Sequence, residues 1–178
     1  AQRILIENVM RDIANGLPSR YIILKARQMG LSTIIEALCY WWTATHKNVR
    51  SVIMAHERDA AKSLYQMFRR YFDNSDTMFK PSRRYNTKQD LTFDVEENVK
   101  EEREKQGLPQ LGLQSEIKTV TAAEGKGRGD TIRFFHGSEV SSWDNSADIV
   151  SSTMQAIPSR KNTFAFLEST ANGVGGYF

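Results

Sequence analysis

Residues 25 to 33, Lys-Ala-Arg-Gln-Met-Gly-Leu-Ser-Thr, put two cations, a glycine and two hydroxyls between an apolar run and a long amphipathic stretch. Backbone N–H groups at the start of a helix, aided by the helix dipole, favour bound phosphate. The common phosphate-loop pattern is G-x-x-x-x-G-K-[ST]. Laid on this chain, it puts Gly30 at the second glycine and Ser32 at the hydroxyl that meets magnesium. Leu31 then stands where lysine is usual, and Lys25 at the first glycine. The lysine is missing from the end of the loop and present at its beginning. From there an extended side chain reaches phosphate as a mobile point charge. Lys25, Gln28, Gly30, Ser32 and Thr33 are the candidate binding positions. The same residues also suit an ordinary strand-to-helix turn; the flanking elements, and Lys25 with Arg27 in one loop, favour phosphate.

Hydrolysis needs a second element, a carboxylate at the end of a neighbouring strand. The apolar run Ile132–Phe135 leads to Ser138-Glu139, where nucleotide hydrolases commonly carry Asp-Glu. Glu139 is the candidate general base for a water aimed at the terminal phosphate. Ser138 would handle magnesium through water, a hydroxyl being a poorer ligand than a carboxylate. A third stretch, Leu167 to Gly173, ends another buried strand with small hydroxyl and amide side chains. These suit a phosphate sensor, although composition alone favours a turn.

Alternating apolar runs supply the elements that must position these residues. A first helix is expected over residues 2 to 15, and a buried strand at residues 21 to 26. A long helix should run from Ser32 with Ile34, Ile35, Leu38, Trp41 and Trp42 inward. A strand and a helix follow, the helix with Ala61, Leu64, Met67, Phe68 and Phe72 inward. Residues 73 to 90 are irregular and polar. Further strands are expected around Leu91–Val95, Ser115–Ala122, Thr131–Gly137 and Asn162–Thr170, with a helix closed by Pro158. Strands alternating with helices imply a mostly parallel sheet covered on both faces.

Bulk properties agree. The chain has 178 residues, 40% hydrophobic and 25% charged, the size and composition of one soluble domain. No apolar stretch approaches a membrane span, and no leader pattern opens the sequence. The single Cys39 makes no internal disulfide, fits a reducing compartment and excludes a cysteine zinc site. The net charge of +3 is uneven: residues 94 to 105 carry six acids and three bases, which reads as a solvated helix. Bases gather instead at Arg69, Arg70, Lys80, Arg83, Arg84 and Lys88. A polyanionic partner is compatible with that field, which is weak evidence alone. His46, His56 and His136 are too scattered for a metal site, and core packing is favoured over base stacking for Trp41 and Trp42.

Taken in order, "KARQMGLST", "GKGRGDTIRFFHGSEV" and "ESTANGVGGYF" resemble the ATPase domain of the large terminase subunit of tailed bacteriophages. The resemblance implies an α/β fold, a P-loop NTPase of the additional-strand, catalytic-glutamate kind, filling residues 1 to 178 as a single ATPase domain. It implies ATP and Mg2+ as cofactors and hydrolysis coupled to movement of double-stranded DNA into a procapsid. Arg27 is similar to the loop arginine that touches the γ-phosphate. Arg128, between two glycines, is similar to the arginine finger inserted into a neighbouring subunit. Ser169, Thr170 and Asn172 match the coupling motif, and Gln2 is the candidate for holding adenine. The resemblance further implies a homo-oligomeric ring on the capsid, with the portal and the small terminase subunit as partners, in the host cytoplasm and without a membrane. The family's nuclease domain has no counterpart in this sequence, so no DNA cleavage is expected of it. Two other readings stay open: a pseudo-ATPase serving as a structural ring or DNA-binding domain, which Leu31 and Ser138 favour, and a helicase-like ATPase.

Overall fold

The computed structural model describes residues 1–77, 80–87, 89–109, 111–124 and 131–172. Seven strands form one sheet: β1 (Ser19–Leu24), β2 (Arg50–Ala55), β3 (Arg83–Asn86), β4 (Asp90–Phe93), β5 (Ser115–Thr121), β6 (Phe134–Ser138) and β7 (Phe164–Ser169). Helices α1 (Gln2–Ala14), α2 (Leu31–Thr45), α3 (Arg58–Asn74), α4 (Glu97–Lys105) and α5 (Ser146–Gln155) connect or precede them. The spatial order is β1-β7-β6-β2-β5-β4-β3. From β1 to β5 the pairing is parallel, and β4 and β3 extend the sheet as an antiparallel edge.

The central strands are buried on both faces, as a parallel sheet requires. Successive residues therefore enter two cores. Phe134, Phe164 and Phe166 pack with Ile35, Leu38, Trp42, Leu64 and Phe68 beneath α1, α2 and α3. Phe135, Ala165 and Leu167 face the other way, with Val140, Trp143 and Val150 beneath α5. No described helix is long and apolar enough to cross a membrane.

Several details differ from the sequence reading. Helix α2 begins at Leu31 rather than Ser32, and Leu31 is buried in the core with Leu5 and Val9. That burial accounts for the leucine: its position faces apolar packing. Trp41 is 41% exposed and meets Trp42 edge-on, whereas Trp42 is buried against Phe164. The irregular stretch holds β3, whose polar residues carry no alternating apolar signal; it pairs with β4. The acidic helix α4 has no buried residue, as expected, but Asp94 before it is buried and paired with Lys100.

The topology creates a switch point. From β1 the chain crosses through α2 to β2, leaving a gap that β6 and β7 later fill. Ligands in open α/β sheets bind beyond the carboxyl ends of strands at such a switch. Register places Leu24 beside Ser169, and Ser138 beside Glu168, at that edge.

Candidate active site

The loop after β1 is held in an unusual conformation. Gln28 has φ 60° and Gly30 φ 65°, both left-handed. Gly30 tolerates this because it lacks a Cβ. Gln2 reaches from α1 to donate from Nε2 to the carbonyls of Met29, at 3.2 Å, and Gly30, at 3.0 Å. Gln2 thus props the loop, at the place where adenine contact was expected of it. Gln28, Thr33 and Arg27 are exposed, and Arg27 has no ion pair with the described residues.

Lys25 turns inward from the end of β1, with its side chain 10% exposed. Its ammonium donates to Ser32 Oγ at 3.1 Å and lies 3.3 Å from Glu139 Oε1 and 3.4 Å from Glu168 Oε1. The displaced lysine therefore sits against the helix N-terminus that a phosphate would occupy. Leu31 would not reach it from the core.

Glu139 follows β6 in a left-handed conformation, φ 54° and ψ 49°. For a non-glycine residue this costs on the order of 1–3 kcal/mol and is common at functional sites. Its Oε2 accepts from the Thr170 N–H at 3.2 Å and from Thr170 Oγ1 at 3.0 Å. Partial burial acts to raise its pKa. The two Thr170 donors and the Lys25 charge outweigh that and hold it below the ordinary carboxylate value.

The residues matched to the coupling motif, Ser169, Thr170 and Asn172, meet the same turn. Ser169 Oγ lies 2.5 Å from Ser141 Oγ, Ser141 Oγ donates to the Thr170 carbonyl at 3.2 Å, and Asn172 Nδ2 donates to the Ser141 carbonyl at 3.3 Å. The end of β7 is thereby bonded to Glu139 and to the 3-10 turn Val140–Ser142 after it. Arg128 lies outside the described residues.

Two residues escaped sequence reasoning, Glu36 and Glu168, and they meet His136, for which the sequence had argued only against a metal site. All three side chains are fully buried. His136 Nδ1 is 2.6 Å from Glu36 Oε1, and its Nε2 is 3.3 Å from Glu168 Oε1. Burial pulls the imidazole's pKa down, but the two carboxylates overcome it and raise the value to about 9. Burial likewise opposes ionisation of Glu168, yet His136, Ser32 and Lys25 bring it down to about 2. Glu36 is pushed up by burial, against the pull of His136. Each residue is a lone charge in an apolar run, "TIIEALCY", "FFHGS" and "FAFLES", and that was the available signal. Ser138 joins the group by donating from Oγ to Glu168 Oε1 at 3.2 Å.

No protein-family model and no curated protein sequence matches this chain. Solved structures do. The HK97 bacteriophage large terminase matches with a TM-score of 0.65 over 94% of this chain, at 15% identity. The Thermus phage P74-26 large terminase ATPase domain matches at 0.65 over 89%, with 17% identity, and a point mutant of it at 0.61. This chain has the fold of a large terminase ATPase domain. It spans 32% of the HK97 terminase chain and 62% of the Thermus phage chain. In this chain β1, which precedes the loop, β7, which ends at Ser169, and β6, which ends one residue before Glu139, lie side by side.

Proposed function

We propose that this chain is an ATP-hydrolysing domain of a viral DNA-packaging motor. The observation that carries the proposal is the convergence of Lys25 and Ser32 from the loop with Glu139 from a second, distant motif, at the carboxyl ends of β1 and β6. The terminase ATPase fold supports the same reading.

Lys25 and the N–H groups opening α2 bind the phosphates, and exposed Arg27 is free to contact the terminal one. Glu139 takes the proton from the attacking water. Its Thr170 contacts aim the carboxylate, and ionisation at neutral pH leaves it ready to accept a proton. Lys25, when drawn onto phosphate, leaves Glu139 for that role. Ser32 would hold magnesium through its hydroxyl, and the metal, when bound, would neutralise charge on the phosphates. Thr170, Ser169 and Asn172 carry any shift of Glu139 into β7, which is the route by which hydrolysis would drive movement of double-stranded DNA. Arg128 acts as a finger in a neighbouring site, which makes activity depend on ring assembly on the portal. An ATP-hydrolysis assay at high protein concentration, with and without double-stranded DNA, tests this. DNA-stimulated turnover is expected. Nucleotide binding with no turnover under either condition would favour the pseudo-ATPase reading.

A further inference from the structure

Ser138 leaves the site without a carboxylate on β6 to hold magnesium. We propose that Glu168 supplies it from the neighbouring strand, an inference that rests on the nucleotide-hydrolase reading and names the metal-holding residue within it. Three observations carry this. Glu168 is the in-register partner of Ser138, so its carboxylate starts from the same level at the same sheet edge. Ser32 Oγ, the expected metal-meeting hydroxyl, already lies 2.6 Å from Glu168 Oε1. Adjacent ligands of an octahedral ion with bonds of about 2.1 Å are separated by about 3 Å, so the two oxygens suit one cation with little movement. Glu168 Oε2 is buried and has no hydrogen-bond partner, an orphaned acceptor that a cation would satisfy.

The chemistry of the donor set fits magnesium in particular. No cluster of three or more His, Cys, Asp or Glu among the described residues could hold a metal alone. Magnesium is held by one or two carboxylates together with substrate phosphates and waters, rather than by a cage of protein ligands. A single carboxylate beside a loop hydroxyl is such a half-site, completed by the nucleotide. The surrounding groups keep the carboxylate in place. Ser138 donates to Oε1, while His136, anchored by Glu36, stands 3.3 Å from the same oxygen. Ser138 is then a positioning residue for Glu168, and the serine is explained by the shift of the carboxylate to β7.

The test is manganese binding followed by electron paramagnetic resonance, with a non-hydrolysable ATP analogue present. Nucleotide affinity in EDTA is measured in parallel. Disturbing groups behind a metal ligand costs about 10–100-fold in affinity, so losing the carboxylate should cost at least about tenfold. Glu168→Gln should show that loss of manganese affinity, with metal-free nucleotide binding changed by less. Adding Ser138→Asp to Glu168→Gln should restore it. Where Glu168→Gln does not fold, Glu168→Asp keeps the charge for Lys25 and His136 but shortens the reach, and should also bind manganese more weakly. Unchanged manganese affinity in the folded variant, or a loss that Ser138→Asp does not recover, overturns the role of Glu168 and leaves the nucleotide site standing. A parent chain that binds no nucleotide overturns both.

Discussion

The Lys25 ammonium lies 3.3 Å from Glu139 Oε1, joining the start of the loop to the residue that ends the β6 motif. Without phosphate the lysine neutralises the carboxylates, and with phosphate it has a stronger anion to meet. Lys25→Met is therefore expected to weaken ATP binding at least about tenfold, one charge-assisted contact being worth roughly 1.5–3 kcal/mol. Fluorescent-nucleotide titration measures it, and parent-like affinity would remove Lys25 from the phosphate site.

Leu31 stands at the usual lysine position but is 5% exposed in the main core. Leu31→Ala should cost about 2–5 kcal/mol of stability by leaving a cavity, while nucleotide affinity of the folded fraction stays near the parent's. Chemical denaturation and the same titration separate the two effects.

An added Cβ at Gly30 meets Gln2 Nε2, the far end of an exposed side chain. The left-handed backbone, φ 65°, is the harder constraint. Gly30→Ala should cost about 1–2 kcal/mol, and Gln2→Ala in the same chain should not recover most of it. Full recovery in the double variant would make the side-chain collision the whole effect.

His136 sits between two buried carboxylates. Removing one partner of a buried ionic group strands the others, typically at about 3–5 kcal/mol. His136→Leu should fall in that range, and combining it with Glu36→Leu should recover part. Urea denaturation of the single and double variants checks both statements.

Much of this fold was legible because buried parallel strands and amphipathic helices leave periodic apolar runs. The runs around Ile53, Phe134 and Phe166 each became a buried strand, whereas the run around Ile22, expected to be buried, became the edge strand β1 with Ile22 and Leu24 exposed. The motifs at Lys25, Glu139 and Ser169 were also readable, since each closes such a run. β3 was not, because its residues Arg83–Asn86 carry no apolar alternation in the sequence. The Glu36–His136–Glu168 chain was hidden for another reason. Its first two members are 100 positions apart, and only the insertion of β6 and β7 beside β1 brings them together. Glu168 was passed over as the start of a turn, although an acid closing "FAFLES" needed a partner.

Glu139 is the residue on which the hydrolytic reading depends. Steady-state ATP turnover of Glu139→Gln, beside nucleotide affinity of the same preparation, tests it most directly. The amide keeps the shape and the side-chain length but accepts no proton. Affinity should stay near the parent's while turnover falls by roughly 10²-fold or more. Turnover equal to the parent's in a folded, nucleotide-binding Glu139→Gln chain would contradict Glu139 as the base, and with it the mechanism assigned to this site.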